Sequence, residues 1–324
     1  MVETEGPLFS LVSGEGSGAL LAAVAGDVAG GRNTLGYSAL TQQATVVAYQ
    51  LMKHARIDRD DLAKDLVELR GDDGEYVLVY RGMSEQFGEW LEATYRGEAA
   101  ATAEPSAEPA VRCIPIGVWF RQDPDQLVEA AVEAARITNI DATSVAASVV
   151  MAGAVASGSF AQNGRDLVDA AGEVAELARA RIAEDPYRFS RVEELGGFVR
   201  KLRAAARLVG RPIDPAQREL GIGDEPGPGE MVTLALLLAG PVEKEAFRQI
   251  ERGAVLGGSV LGAMVGGIVG ARVGLRVWPW VIANDTWFAE IGRRLVRHHR
   301  EYRDLPVPYS VEERITLGIT TEVY

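Results

Sequence analysis

Apolar positions recur along most of this chain at the three- and four-residue spacing of a helix face. Residues 18–31, GALLAAVAGDVAGG, predict a tightly packed helix that ends at the Gly30-Gly31 pair. A loop over 32–38 leads to a helix over 39–54, with Ala44, Val47, Ala48 and Leu51 on one face. Residues 58–69 form a short amphipathic helix with its acids early, as the helix dipole favours; residues 83–95 form another. Residues 97–110, GEAAATAEPSAEPA, have no apolar anchor and are expected to be a flexible loop. Residues 112–119 are read as a buried connection. Asp123-Pro124 then starts a helix to about Ile137, with Asp as N-cap and Pro at N1. Helices follow over 143–161, 165–182 and 192–208; Leu167, Val168, Ala171, Val174, Leu177 and Ala178 share one side of the second. Residues 221–229 are a turn-rich loop, 230–239 and 243–252 lead into a central helix, and 278–299 form a last long helix. Short strands are expected in the tail from Pro306. Strand signal is weak elsewhere, so the expected class is all-α, as one domain over residues 1–324.

The central helix is the most distinctive stretch. Residues 253–274 read GAVLGGSVLGAMVGGIVGARVG, with Gly258, Gly262, Gly266, Gly270 and Gly274 at every fourth position. On a helix these form one smooth stripe. Each glycine costs about 1 kcal/mol against alanine, so such a helix needs neighbours pressed close against the stripe. A transmembrane helix pair uses the same spacing, and about 20 apolar residues span a bilayer. Arg252, Arg272 and Arg276 bound this run tightly, and it is rich in glycine rather than leucine. No Lys-Ser or Lys-Thr pair follows it, so a phosphate-binding Walker loop is not supported.

Charge and cysteine narrow the function classes. A net charge of −13 argues against non-specific nucleic-acid binding and against docking on anionic lipid. The lone Cys113 excludes an internal disulfide and a thiolate zinc cage. Met1 to Pro7 carries Glu3 and Glu5 and lacks the basic and apolar regions of a secretory signal, so a cytoplasmic location is expected. Basic residues are nearly all arginine, which with abundant Ala, Gly and Val suggests a high-GC bacterial source.

Four motifs, in order, resemble the ADP-ribosylglycohydrolase family, the DraG-like fold. Gly26-Asp27-Val28-Ala29-Gly30 resembles its first-helix GDALG. Tyr37-Ser38-Ala39-Leu40-Thr41-Gln42 stands where the family has Y-[ST]-D-D-T-Q. Pro115-Ile116-Gly117 and Ile137-Thr138-Asn139 resemble its P-[LI]-G and T-H pair. Residues 254–274 resemble the helix that opens with G-G-D-T-D-T and closes with A-G-A-x-x-G. The likeness covers roughly residues 15–300. It implies an all-α DraG-like bundle and hydrolysis of ADP-ribosylated protein by two divalent metals, usually magnesium. Those hard cations take carboxylate ligands and act through a bridging water.

The chain departs from that pattern at each ligand carboxylate. Ala39 and Leu40 replace the D-D pair. A gapless match of the last motif places its two acids on Gly257 and Ser259; a shift by two places them on Ser259 and Leu261. The family histidine is Asn139, and residues 108–112 stand in place of the G-N-G-x-A-M-R loop. Ser38 and Thr41 remain as neutral oxygens. The vestigial cleft positions are therefore Asp27, Ser38, Ala39, Leu40, Thr41, Asn139, Gly257 and Ser259, with no catalytic residue, no metal ligand and no cofactor expected. Asp27, in an apolar helix, needs either a remnant ligand or a helix N-terminus or arginine as partner. A hydrolase of ADP-ribosyl or related glycosidic bonds with a rebuilt site would need acids such as Asp27, Asp141 or Asp285 to converge in the cleft. His298-His299 read as a solvated helix end, and Trp278, Trp280 and Trp287 as a packing cluster. Cys113 has only His54 as an arguable base. The expectation is a metal-free pseudoenzyme serving a protein partner or self-association, with ADP-ribose binding doubtful.

Overall fold

The computed structural model describes residues 16–31, 36–70, 79–98, 101–241, 246–274 and 282–316. In chain order its helices are α1 (Ala19–Gly30), α2 (Ala39–His54), α3 (Arg59–Arg70), α4 (Glu85–Tyr95), α5 (Glu108–Arg112), α6 (Ile114–Trp119), α7 (Pro124–Arg136) and α8 (Ala142–Gly158). There follow α9 (Gly164–Glu184), α10 (Leu195–Ala205), α11 (Ile213–Glu219), α12 (Pro228–Ala239), α13 (Ala246–Val273), α14 (Asp285–Val296) and α15 (Pro308–Thr316). The fold is all-α. Among the described residues the extended pairing is limited to two isolated bridges, Thr102 with Asn139 and Asp141 with Ser190. Helix starts follow side-chain chemistry. Ser38, Ser84, Asp123, Asp141 and Asn163 each accept from a backbone N–H of the first turn, which satisfies donors that have no partner inside the helix.

α13 is the axis of the bundle, with α1, α8 and α12 packed around it. Its contact with α1 is backbone to backbone. A Cβ on Gly262 would stand 2.4 Å from the Gly26 oxygen, one on Gly266 2.0 Å from the Ala22 oxygen, and one on Gly270 2.3 Å from the Gly18 oxygen. The partners recur every fourth residue on α1 as well and run in the opposite sense, so the helices are antiparallel. The expected stripe is therefore real from Gly262 onward. Gly258 departs from it, because α13 breaks there: Gly257 has φ −140° and Gly258 has φ 62°, a left-handed value that glycine adopts without strain. By length and apolarity α13 passes as a membrane span, yet 67% of its apolar window is buried among the other helices.

Several expectations are corrected. Residues 112–119 are buried, as expected, but they form the end of α5 and all of α6, joined by a turn at Cys113; Pro109 and Pro115 each occupy a first turn, where a missing N–H costs nothing. Leu177 faces outward at 40% exposure, off the buried side of α9. α11 was not expected. The last long helix is α14, from Asp285; 275–281, with Trp278 and Trp280, lie outside the described residues. The tail forms α15 instead of strands, because Val311 and Glu312 pack inward one helical step apart. Residues 99–100 also lie outside the described set. From Thr102 on, the segment expected to be flexible for want of an apolar anchor is held by polar bonds: Thr102 exchanges backbone bonds with Thr138 and Ile140, and Ser106 N donates to Ser144 Oγ at 2.9 Å.

Candidate functional site

The α1–α13 contact brings the end of α1, the start of α2 and the break in α13 to one place. Asp27, in the last turns of α1 and 1% exposed, points at the N-terminus of α2. Its carboxylate accepts from Ser38 N at 2.8 Å, from Ser38 Oγ at 2.8 and 3.0 Å, and from Thr41 Oγ1 at 2.7 Å. Ser38 Oγ in turn caps Leu40 N at 3.2 Å. From α13, Ser259 Oγ donates to the Asp27 carbonyl at 3.0 Å. Asp27, Ser38, Thr41 and Ser259 thus form one group. The aspartate serves as an acceptor that ties two helices together, the structural alternative foreseen from the sequence.

Ala39 and Leu40, the residues expected at the D-D pair, are apolar and shielded. Ala39 is 2% and Leu40 6% exposed, and Ala39 N donates to the Arg81 carbonyl at 2.9 Å. Gly257 lies at the break, half-buried, where a Cβ would meet the Leu261 side chain at 2.7 Å. Asn139 belongs to a different set of contacts. It is buried, donates from Nδ2 to the Glu104 carbonyl at 3.0 Å and accepts from Thr138 Oγ1 at 2.7 Å. None of its hydrogen bonds reaches Asp27.

Beside Ser38 lies a charged cluster that no sequence pattern signalled. Tyr37 Oη donates to Glu312 Oε1 at 2.9 Å, and Arg81 Nη1 pairs with Glu312 Oε2 at 2.7 Å. The Arg81 guanidinium also lies 4.2 Å from the Tyr37 ring centre. Burial, and then the Glu312 charge, push the Tyr37 phenol well above its ordinary value. Glu312 comes from α15, in the tail expected to hold strands, and Arg81 from a turn between α3 and α4, so neither had a periodic pattern to mark it.

The other candidates separate. Asp141 caps α8 through Ser144 and lies 3.9 Å from Arg191; Asp285 is exposed and accepts from Thr286 N at 2.6 Å. Among the described residues no group of three or more His, Cys, Asp or Glu side chains is placed to hold a metal ion. Cys113 is fully buried, and burial pushes its thiol up to about 12, far from a nucleophile's range. His298 stacks on Trp119 with ring centres 4.7 Å apart, and His299 lies 3.7 Å from Glu301. Trp287 is buried and donates from Nε1 to the Pro306 carbonyl at 3.1 Å.

The family model for ADP-ribosylglycohydrolase matches residues 15–304. The chain belongs to that family. A solved structure titled "ADP-ribosylglycohydrolase-related protein complex" is similar at a TM-score of 0.59 and 17% identity, over 88% of this chain and 98% of that one. At that identity the likeness speaks for the fold. No curated protein sequence matches significantly.

Proposed function

We propose that this family member is a pseudoenzyme that works by binding, in a regulatory or assembly role. The observation that carries this reading is the donor set around Asp27. Two divalent cations need several charged oxygens to offset their dehydration. Here a single carboxylate stands among Ser38, Thr41 and Ser259, and it already accepts from Ser38 and Thr41. Ala39, Leu40 and Gly257 bring no side-chain oxygen, and the shifted alignment adds only Leu261. These residues do not fit a dinuclear site. Ala39 and Leu40 are apolar and shielded, so they offer a polyanionic substrate neither charge nor hydrogen bond. The test is release of ADP-ribose from ADP-ribosylated protein in millimolar Mg²⁺. The reading expects no release above the uncatalysed rate; turnover that Ser38→Ala abolishes contradicts it.

One observation favours a second reading, a binder of ADP-ribose or a similar polyhydroxyl ligand. A cavity of about 550 Å³ is lined by Asp141, Phe198 and Gly229 among others. At its wall the fully buried Asp141 has an Oδ2 that makes no hydrogen bond and faces the Arg191 guanidinium at 3.9 Å. A ligand hydroxyl or amine that displaced Arg191 would satisfy that oxygen. Calorimetry with ADP-ribose distinguishes the readings: micromolar binding that Asp141→Asn weakens supports the second, and no binding supports the first.

A further inference from the structure

A second cavity, of about 560 Å³, opens on the other half of α2. Tyr49 lies eleven residues beyond Ser38, roughly 16 Å along the helix at 1.5 Å per residue, so this cavity is distinct from the Asp27 group. Its chemistry is unlike that of the Asp27 group. The walls include Tyr49, Tyr95, Tyr302 and Tyr309, with the carboxylates Asp65 and Glu68. Aromatic faces carry negative potential and attract cations, most strongly those with little hydration to lose.

The backbone adds to the same field. Lys53, which lines the cavity, is next to last in α2; residues 65–69 form the last turn and more of α3; and Tyr95 is the last residue of α4. Three helix C-termini therefore converge, and each carries partial negative charge. Opposing them are the Lys53 ammonium, the N-terminus of α15 at Pro308 and the Arg70 guanidinium at the rim, whose charge Glu92 pairs at 2.8 Å. Against these stand the two carboxylates and the three C-termini. The chain itself already uses the rim this way: the Arg70 guanidinium sits 4.6 Å from the centre of the Tyr95 ring. Ordinary ligand cavities measure about 300–1,000 Å³, so there is room for a ring as well as a cationic head.

We propose that this tyrosine-lined cavity is a binding site for an organic cation, an alkylated ammonium on an aromatic or aliphatic body. The site is separate in space from the Asp27 group. Its occupancy links α2, α3 and the segment before α15, the same helix whose Glu312 pairs with Arg81 beside Ser38.

The test uses two isosteres on the full-length chain, 3-hydroxyphenyltrimethylammonium and 3-tert-butylphenol, which differ in charge and hardly in shape. Calorimetry should show saturable, submillimolar binding of the cation and at least tenfold weaker binding of the phenol. Tyr302→Leu should weaken the cation about fivefold or more. Should Tyr302→Leu fail to fold, Glu68→Gln, at an exposed position, carries the test: it weakens the cation and leaves the phenol unchanged. Equal binding of the two isosteres, no saturable binding of the cation, or cation binding insensitive to these substitutions overturns the proposal.

Discussion

Replacing Gly266 with alanine should destabilise this protein although alanine is the better helix former. The new Cβ would lie 2.0 Å from the Ala22 oxygen and 2.7 Å from its carbonyl carbon. Ordinary contact begins at 3.4 Å, so the helices must part by about 1.4 Å at that point. The obstacle is backbone, which has no rotamer to change. Overpacking of this kind costs about 3 kcal/mol, the top of the usual range. Helix propensity returns about 1 kcal/mol, which leaves a net loss of about 2 kcal/mol. Gly197 in α10 is the internal control, since a Cβ there meets nothing within 4 Å. Gly197→Ala should therefore stabilise by up to about 1 kcal/mol. An unfolding entropy of about 2.1 cal/mol/K per residue gives roughly 0.7 kcal/mol/K for this chain. Calorimetric melting should then find Gly266→Ala about 3 °C below the parent and Gly197→Ala about 1 °C above it. If both variants melt above the parent, α1 and α13 do not touch through their backbones and the account of the core fails.

Asp27→Ala removes the acceptor for Ser38 N, Ser38 Oγ and Thr41 Oγ1, all buried; denaturant titration should show a loss of about 3 kcal/mol or more. Glu312→Gln leaves the buried Arg81 charge without its carboxylate and should cost about 3–5 kcal/mol by the same measurement. An ordinary thiol ionises near 9 but Cys113 only near about 12, so the unfolded chain loses its proton first. Stability is full below pH 9 and falls as the pH climbs toward 12. Tyr37 and Tyr80 act in the same direction from about pH 10, and Cys113→Ala should flatten the part that begins at pH 9.

Much of the helical frame was legible, because periodicity and capping pointed the same way. Pro124 to Arg136 shows it: Asp123 caps the start, Pro124 is the first residue, and the helix ends within one residue of the expected Ile137. Gly262, Gly266 and Gly270 were legible for a different reason, since a costly residue repeated at helical spacing implies a close neighbour. That the neighbour is α1, with its own Gly18, Ala22, Gly26 and Gly30 in step, is a long-range fact that no local window contains. The break at Gly257 and Gly258 was hidden inside the same run, because glycine serves equally as a smooth helix surface and as a left-handed residue. Around the site, Asp27 and Ser38 were found by motif, and the need of a buried carboxylate for a helix N-terminus or an arginine was legible, but not that the N-terminus is that of α2. Arg81 and Glu312 were not found, for they lie 231 residues apart and pair only through the tertiary fold.

The account rests on the claim that the Asp27 group holds no pair of divalent cations. Titrating the protein with MgCl₂, and separately with MnCl₂, to millimolar concentration in a calorimeter tests it most directly. The expected trace is featureless heat of dilution, unchanged by Ser38→Ala or Ser259→Ala. Saturable binding of two ions per chain, weakened by either substitution, would contradict the account and return the protein to the catalytic members of its family.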